Sequence, residues 1–152
     1  IKVKFNFFFL CIKYNMPFYK KSNMIGLKNE LKYKPDIEKI MNCKLDLTTN
    51  FNTFDYENKD EKILIELKCR NCFKNNYPTT MIGMNKINMS KIRLDEGFKV
   101  FYFFHFKDGL YYIEYDDKLK YIIKDGFRYD RIETIINKPQ YAYIDVDNLI
   151  KC

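Results

Sequence analysis

Tryptophan is absent from the chain, histidine occurs once, and only 5 of its 152 residues are glycine and 4 proline. With no internal repeat, no Gly/Ser linker and no low-complexity block, disordered, fibrous and linker-dominated architectures are excluded. The one histidine, His105 in FYFFHF, reads as packed in or beside a core strand. Ser-His-Asp or Cys-His catalysis would have to use it, and no nucleophile-elbow sequence accompanies it. Disulfide scaffolding is also excluded, because 5 cysteines at irregular spacing make no framework and read as reduced. Cys69-Arg-Asn-Cys72 has C-x-x-C spacing, but no second pair or nearby histidine completes a tetrahedral set, so the spacing reads as coincidence. The N-terminal IKVKFNFFFLCIKYN looks like a signal peptide only superficially. It lacks an A-x-A cleavage site and falls far below the roughly 20 apolar residues of a membrane helix.

What is present is 47% hydrophobic, 31% charged and 18% aromatic, a composition that folds. The length fits one domain. The first methionine is Met16, so residues 1–15 are expected to be a non-native or flexible extension, or else an edge strand, and 16–152 a single domain. Lys and Arg number 27 against 20 Asp and Glu, a formal charge of +7. That balance favours a polyanionic partner, nucleic acid ahead of an anionic membrane surface, although an AT-rich coding sequence would enrich lysine as well. The expected location is intracellular, in host cytoplasm or nucleus or at a viral replication site, without secretion.

Periodicity predicts a helix from Ser22 with Ile25, Leu31, Ile37, Ile40 and Met41 at mostly helical spacing, kinked or divided at Pro35. FNTFDYE alternates as a strand, ENKDEK turns, and KILIELK returns. A second helix is predicted from Thr79 or Thr80 as N-cap, through Met81, Ile82, Met84, Ile87 and Met89, to a stop at Gly97. FKVFYFFHF, GLYYIEYD and KYIIKDG read as strands, with Lys107 to Gly109 turning between the first two, and YAYIDVDNLIKC ends as a strand or short helix. The order defines a mixed α/β domain on one central sheet.

Within KILIELK, Glu66 and Lys68 project from one strand face while Ile65 and Leu67 project from the other. The same E-x-K spacing at Glu30-Leu-Lys32 falls on a helix and at Glu57-Asn-Lys59 in a turn, so the strand context is the distinguishing feature. A hairpin about Asp60 and Glu61 sets Asp55 opposite Glu66. Two carboxylates in a half-buried place repel unless a cation compensates, and Mg²⁺, which takes oxygen ligands and keeps waters, fits. Lys68 would orient or help deprotonate a bound water, or stabilise an oxyanion. The competing reading is a solvated Glu66–Lys68 pair on a half-exposed strand.

Residues 53 to 87, TFDYENKDEKILIELKCRN through YPTTMIGMNKI, resemble the PD-(D/E)XK, restriction-endonuclease-like nuclease superfamily, and are similar to small members encoded by large DNA viruses and phages. Asp55 matches the motif aspartate, Glu66-Leu67-Lys68 the E-x-K, and the helix near Thr79 the helix after the core hairpin. No proline precedes Asp55, a departure from the motif. The resemblance implies a helix-strand-strand-strand-helix-strand core with a central mixed sheet, and Mg²⁺, with Mn²⁺ as substitute, held by Asp55, Glu66 and the Leu67 carbonyl. It further implies an assisting acidic residue on the first helix, for which Glu30 is the choice and Glu38 the runner-up. Arg70, the helix N-terminus at Thr79, and Lys86 are the expected nucleic-acid contacts, each with an ordinary surface role as the alternative. The implied activity is endo- or exonucleolytic cleavage of DNA, with RNA left open, no membrane partner, and a homodimer where both strands are cut. The rivals are an inactive nucleic-acid-binding or assembly module of the same fold, and a basic viral structural protein. Tyrosines and phenylalanines could stack on unpaired bases, although at strand spacing they read as core.

Overall fold

Ile63, Leu64, Ile65, Glu66 and Leu67 are consecutive on one strand and all five are buried. A strand buried on both faces has to lie within a sheet covered on both sides. The computed structural model describes residues 18–49, 52–126 and 138–152 and has that arrangement. The expectation for residues 1–15 lies outside the described residues. In chain order the elements are α1 (Phe18–Met41), β1 (Asp46–Leu47), β2 (Tyr56–Asn58), β3 (Ile63–Cys69), a 3₁₀ turn (Lys74–Asn76), β4 (Thr79–Gly83) and α2 (Met84–Asp95). There follow β5 (Lys99–Phe106), β6 (Gly109–Tyr115), β7 (Ile122–Asp125), β8 (Gln140–Asp145), a second 3₁₀ turn (Val146–Asn148) and β9 (Ile150–Lys151).

The main sheet runs β1-β2-β3-β5-β6-β9, with β3 and β5 parallel and the other neighbours antiparallel. Side-chain alternation sends Ile63, Ile65, Leu67, Phe101 and Phe103 into one core layer with Ile37 of α1. It sends Leu64, Val100, Tyr102, Phe104 and Ile113 into the other, against Ile87 of α2. A second sheet, β4-β8-β7, contributes Ile82, Ala142 and Ile144 to that same layer. The α1-β2-β3-β4-α2-β5 order is the helix-strand-strand-strand-helix-strand core expected, and the fold is of the restriction-endonuclease-like α/β class.

Four expectations change. Among the described residues the strands form two sheets rather than one, and KYIIKDG supplies β7 of the smaller. Thr79 to Gly83 form strand β4, paired with β8 from Thr79↔Asp145 to Gly83↔Tyr141, so the second helix starts at Met84 instead of Thr79. It does stop as expected, with Gly97 at φ 84° just beyond it. The β3 strand is not half-exposed, because α2 covers the face that carries Glu66. Finally, α1 passes through Pro35 undivided, although the ring leaves the Leu31 carbonyl without its i+4 donor.

Among the described side chains of α1, Tyr33, Ile37, Ile40 and Met41 pack in the core, while Ile25 and Leu31 are 54% and 55% exposed. Ile37, 0% exposed, is therefore the main anchor of the helix. Ile37→Ala is expected to cost about 2–5 kcal/mol, read as a lowered urea midpoint. A loss under about 1 kcal/mol would show that α1 is not held by this contact.

Candidate active site

The hairpin register is the one expected, with Tyr56↔Ile65, Glu57↔Leu64 and Asn58↔Ile63 paired. One step further places Asp55 beside Glu66, although the strand begins only at Tyr56 and residues 52–55 before it bend. Where β2 stops, Asp55 takes over the pairing: its N–H donates to the Ile65 carbonyl at 2.9 Å, and its Oδ2 accepts from the Leu67 N–H at 2.7 Å. A residue's N–H and C=O share one strand edge, so the Leu67 carbonyl also lies on this edge, past the last β2 pair.

Glu66 is 0% exposed. Its Oε2 accepts from Lys86 Nζ of α2 at 2.8 Å. Its Oε1 meets the Lys68 ammonium as an ion pair but makes no hydrogen bond of normal geometry. Lys86 also donates to the Thr53 carbonyl, so one ammonium ties α2 to β3 and to the bend that carries Asp55. Glu30 reaches the same place from α1, fixed by the Tyr56 hydroxyl, which donates to the Glu30 carbonyl at 2.8 Å. Three carboxylates, Glu30, Asp55 and Glu66, thus interact with two ammonium groups, Lys68 and Lys86.

That imbalance shows in the titration of the group. Burial, followed by repulsion from Glu66, pushes the Asp55 carboxyl up to about 7. Glu30 is raised for the same two reasons, burial first. For Lys68 burial pulls the pKa down, but the Glu66 and Asp55 charges outweigh it and hold the group above its ordinary value. Lys68 is therefore held as a cation beside the two carboxylates.

A pocket of about 460 Å³ opens on this edge, lined by Glu30, Asp55, Leu67, Lys68 and Arg70 and, from the small sheet, by Met81, Tyr141 and Tyr143. A depression of similar size around Lys91, Asp95 and Asp116 shares no residue with it. Glu66 stands behind the pocket wall, its carboxylate turned to the two lysines. Consistent with that, no three His, Cys, Asp or Glu side chains among the described residues are grouped as a metal would require. The oxygen donors are nonetheless suited to a hard cation: two carboxylates raised by burial and by the neighbouring Glu66 charge, a strand-edge carbonyl, and a buried Glu66 oxygen without a hydrogen bond.

The remaining expected residues are placed differently from one another. Arg70 lines the pocket, its guanidinium donating to the Met81 carbonyl and to Thr80 Oγ1 at 3.3 Å. Thr79, expected at a helix N-terminus, is a β4 residue facing Asp145 in register. Lys86, expected at a nucleic-acid strand, is turned inward to Glu66. Glu38, the runner-up to Glu30, binds Lys34 at 2.8 Å and the Leu45 N–H at 2.9 Å, which fastens the end of α1 rather than the site. His105 stacks on Tyr33 at 4.2 Å on β5, as a packing residue. The sequence reading did not bring Tyr141 and Tyr143 to the site. YAYIDV announced a strand, but nothing local showed that it would pair with β4 beside Arg70.

The class is that of the restriction-endonuclease-like proteins: a mixed sheet between helices, with an aspartate and an E-x-K converging at the end of a hairpin. The chain belongs to the family described as "Phage putative PDDEXK endonuclease", whose model matches residues 17–151. No curated protein and no solved structure matches it. No helix among the described residues is long and apolar enough to cross a membrane.

Proposed function

We propose that the protein is a phosphodiesterase that cuts DNA with the aid of a divalent cation, Mg²⁺ or in its place Mn²⁺. The observation that carries this reading is the meeting of Asp55, Glu30, Lys68 and the Leu67 edge in one pocket of a family of endonucleases. Asp55, Glu66 and the Leu67 carbonyl would hold the cation, with Glu30 assisting. When bound, such an ion supplies charge that lowers the pKa of water and neutralises a phosphate oxygen. Lys68, protonated and ion-paired on one side to Glu66, donates to the attacking water or to the developing oxyanion. Lys86 holds Glu66 and the Thr53 carbonyl in place and so positions Asp55. DNA is the expected partner, in keeping with the formal charge of +7, and cutting both strands would call for a homodimer.

One observation favours a second reading, a binding module of the same fold: Glu66 already has two ammonium partners and need not bind metal to be satisfied. Incubation with single-stranded, duplex and branched DNA, in Mg²⁺, in Mn²⁺ and in chelator, separates the two. Metal-dependent cleavage by the parent is expected, falling at least about a hundredfold in Lys68→Ala with DNA binding kept. DNA binding with no cleavage of any substrate in either metal would establish the module instead.

A further inference from the structure

On β8, Ala142 and Ile144 turn into the core, which leaves Tyr141 and Tyr143 on the opposite face, toward the pocket. The register sets Met81, Tyr143 and Ile122 in one row across the small sheet and Gly83, Tyr141 and Lys124 in the next. This face is apolar and aromatic and open in part: Ile122 is 60% exposed, both tyrosines are partly exposed, and Ile25 and Asn29 of α1 line the same pocket across from them. Gly126 is needed for its shape, since a Cβ there would collide with the Tyr141 ring. Lys124 Nζ lies 5.1 Å from the centre of the Tyr143 ring. Beside them Arg70 is locked by Met81 and Thr80, lines the same pocket, and has no carboxylate partner among the described residues.

We propose that this face of the small sheet is a platform for unpaired nucleotides, stacking bases on Tyr143 and Tyr141 and holding the intervening phosphate with Arg70 and Lys124. The proposal rests on the reading of the adjoining Asp55–Lys68 pocket as a nucleic-acid site, and it adds the substrate class: a single DNA strand. Stacking on a tyrosine ring needs an exposed base face, which a duplex hides inside its stack and a single strand offers at every nucleotide. A pocket of about 460 Å³ matches a nucleotide-sized unit. A fixed guanidinium with no carboxylate beside it and an ammonium at the ring complement the phosphodiester charge.

The test is fluorescence anisotropy in chelator, where nothing is cut, with a labelled oligothymidylate, the same strand annealed to oligoadenylate, and an oligouridylate. The parent is expected to bind the single DNA strand at least roughly tenfold more tightly than the duplex. Tyr143→Ala is expected to lose roughly tenfold on the single strand alone, and Tyr143→Phe to keep affinity, since the ring does the stacking. Lys124→Glu, at an exposed position, should weaken the single strand by a similar factor without touching the core. Equal affinity for single strand and duplex overturns the proposal, as does an unchanged affinity in both Tyr143→Ala and Lys124→Glu. Tighter binding of oligouridylate overturns the assignment to DNA. Because no cleavage is read, these results stand apart from the nuclease test: a protein that binds single strands through Tyr143 but cuts nothing would lose the activity and keep the platform.

Discussion

Asp55→Asn is expected to reduce metal-dependent cleavage by at least about a thousandfold and, at pH 8 without metal, to make the protein more stable than its parent. The loss of rate follows from removing the anionic oxygen aimed into the pocket. The gain in stability follows from the titration. The Asp55 carboxyl ionises near 3.8 when unfolded and at about 7 when folded, so below pH 4 it is protonated in both states and costs nothing. Between about pH 4 and about pH 7 the unfolded chain releases the proton and the folded chain keeps it, so stability is lost as the pH rises, and above 7 the loss is complete. The loss is on the order of 2–4 kcal/mol. Asparagine avoids it and can still accept from the Leu67 N–H through its amide oxygen. Urea midpoints at pH 4 and pH 8 in chelator, and again with Mg²⁺, test this. The parent should gain stability from Mg²⁺ at pH 8 and the variant should not. A variant that is less stable than the parent at pH 8 would show that Asp55 is already compensated in the fold.

Removing the Glu66 carboxylate should have the largest effect on the fold itself. Glu66→Ala leaves the Lys68 and Lys86 ammonium groups facing one another in a place where Glu66 had no solvent contact. The expected cost is about 3–5 kcal/mol, the penalty for a buried charge deprived of its partner. The pair Glu66→Leu with Lys86→Met, which removes opposite charges together, should recover most of that stability while cleavage stays absent. Chemical denaturation of that double variant, of Glu66→Leu alone and of Lys86→Met alone gives the coupling directly. Additive effects in that cycle would mean that Lys86 and Glu66 act independently, and Lys86 would then be available to a ligand after all.

The hairpin was legible because it is local. A polar turn between two β-rich segments fixes the register, and the register fixes which carboxylates meet, so Asp55 and Glu66 could be paired from sequence. Glu30 over Glu38 was not decided by helical spacing. It depends on Tyr56 reaching the Glu30 carbonyl and on Leu45 engaging Glu38, both contacts made by chain that follows the helix. The segment Thr79 to Gly83 was misread for a related reason. Thr, Met and Ile fit either a strand or the first turn of a helix, and the choice is made by β8, far along the chain. Ile25 and Leu31 have core-like spacing, but the part of α1 that carries them lies outside the core cluster. Lys86 was expected at a nucleic-acid strand, or else as an ordinary surface cation, because nothing in its own helix shows that the buried Glu66 and the Thr53 carbonyl turn it inward.

The same division between local and distant pairing sets the order in which the site can assemble. The strands that bring Asp55 and Glu66 together close through a turn of a few residues, whereas β4 cannot meet β8 until the chain has been made as far as Asp145. During synthesis the carboxylate wall therefore comes into being while the tyrosine wall is still missing, and the Arg70 guanidinium has no docked β4 edge to grip until the small sheet closes.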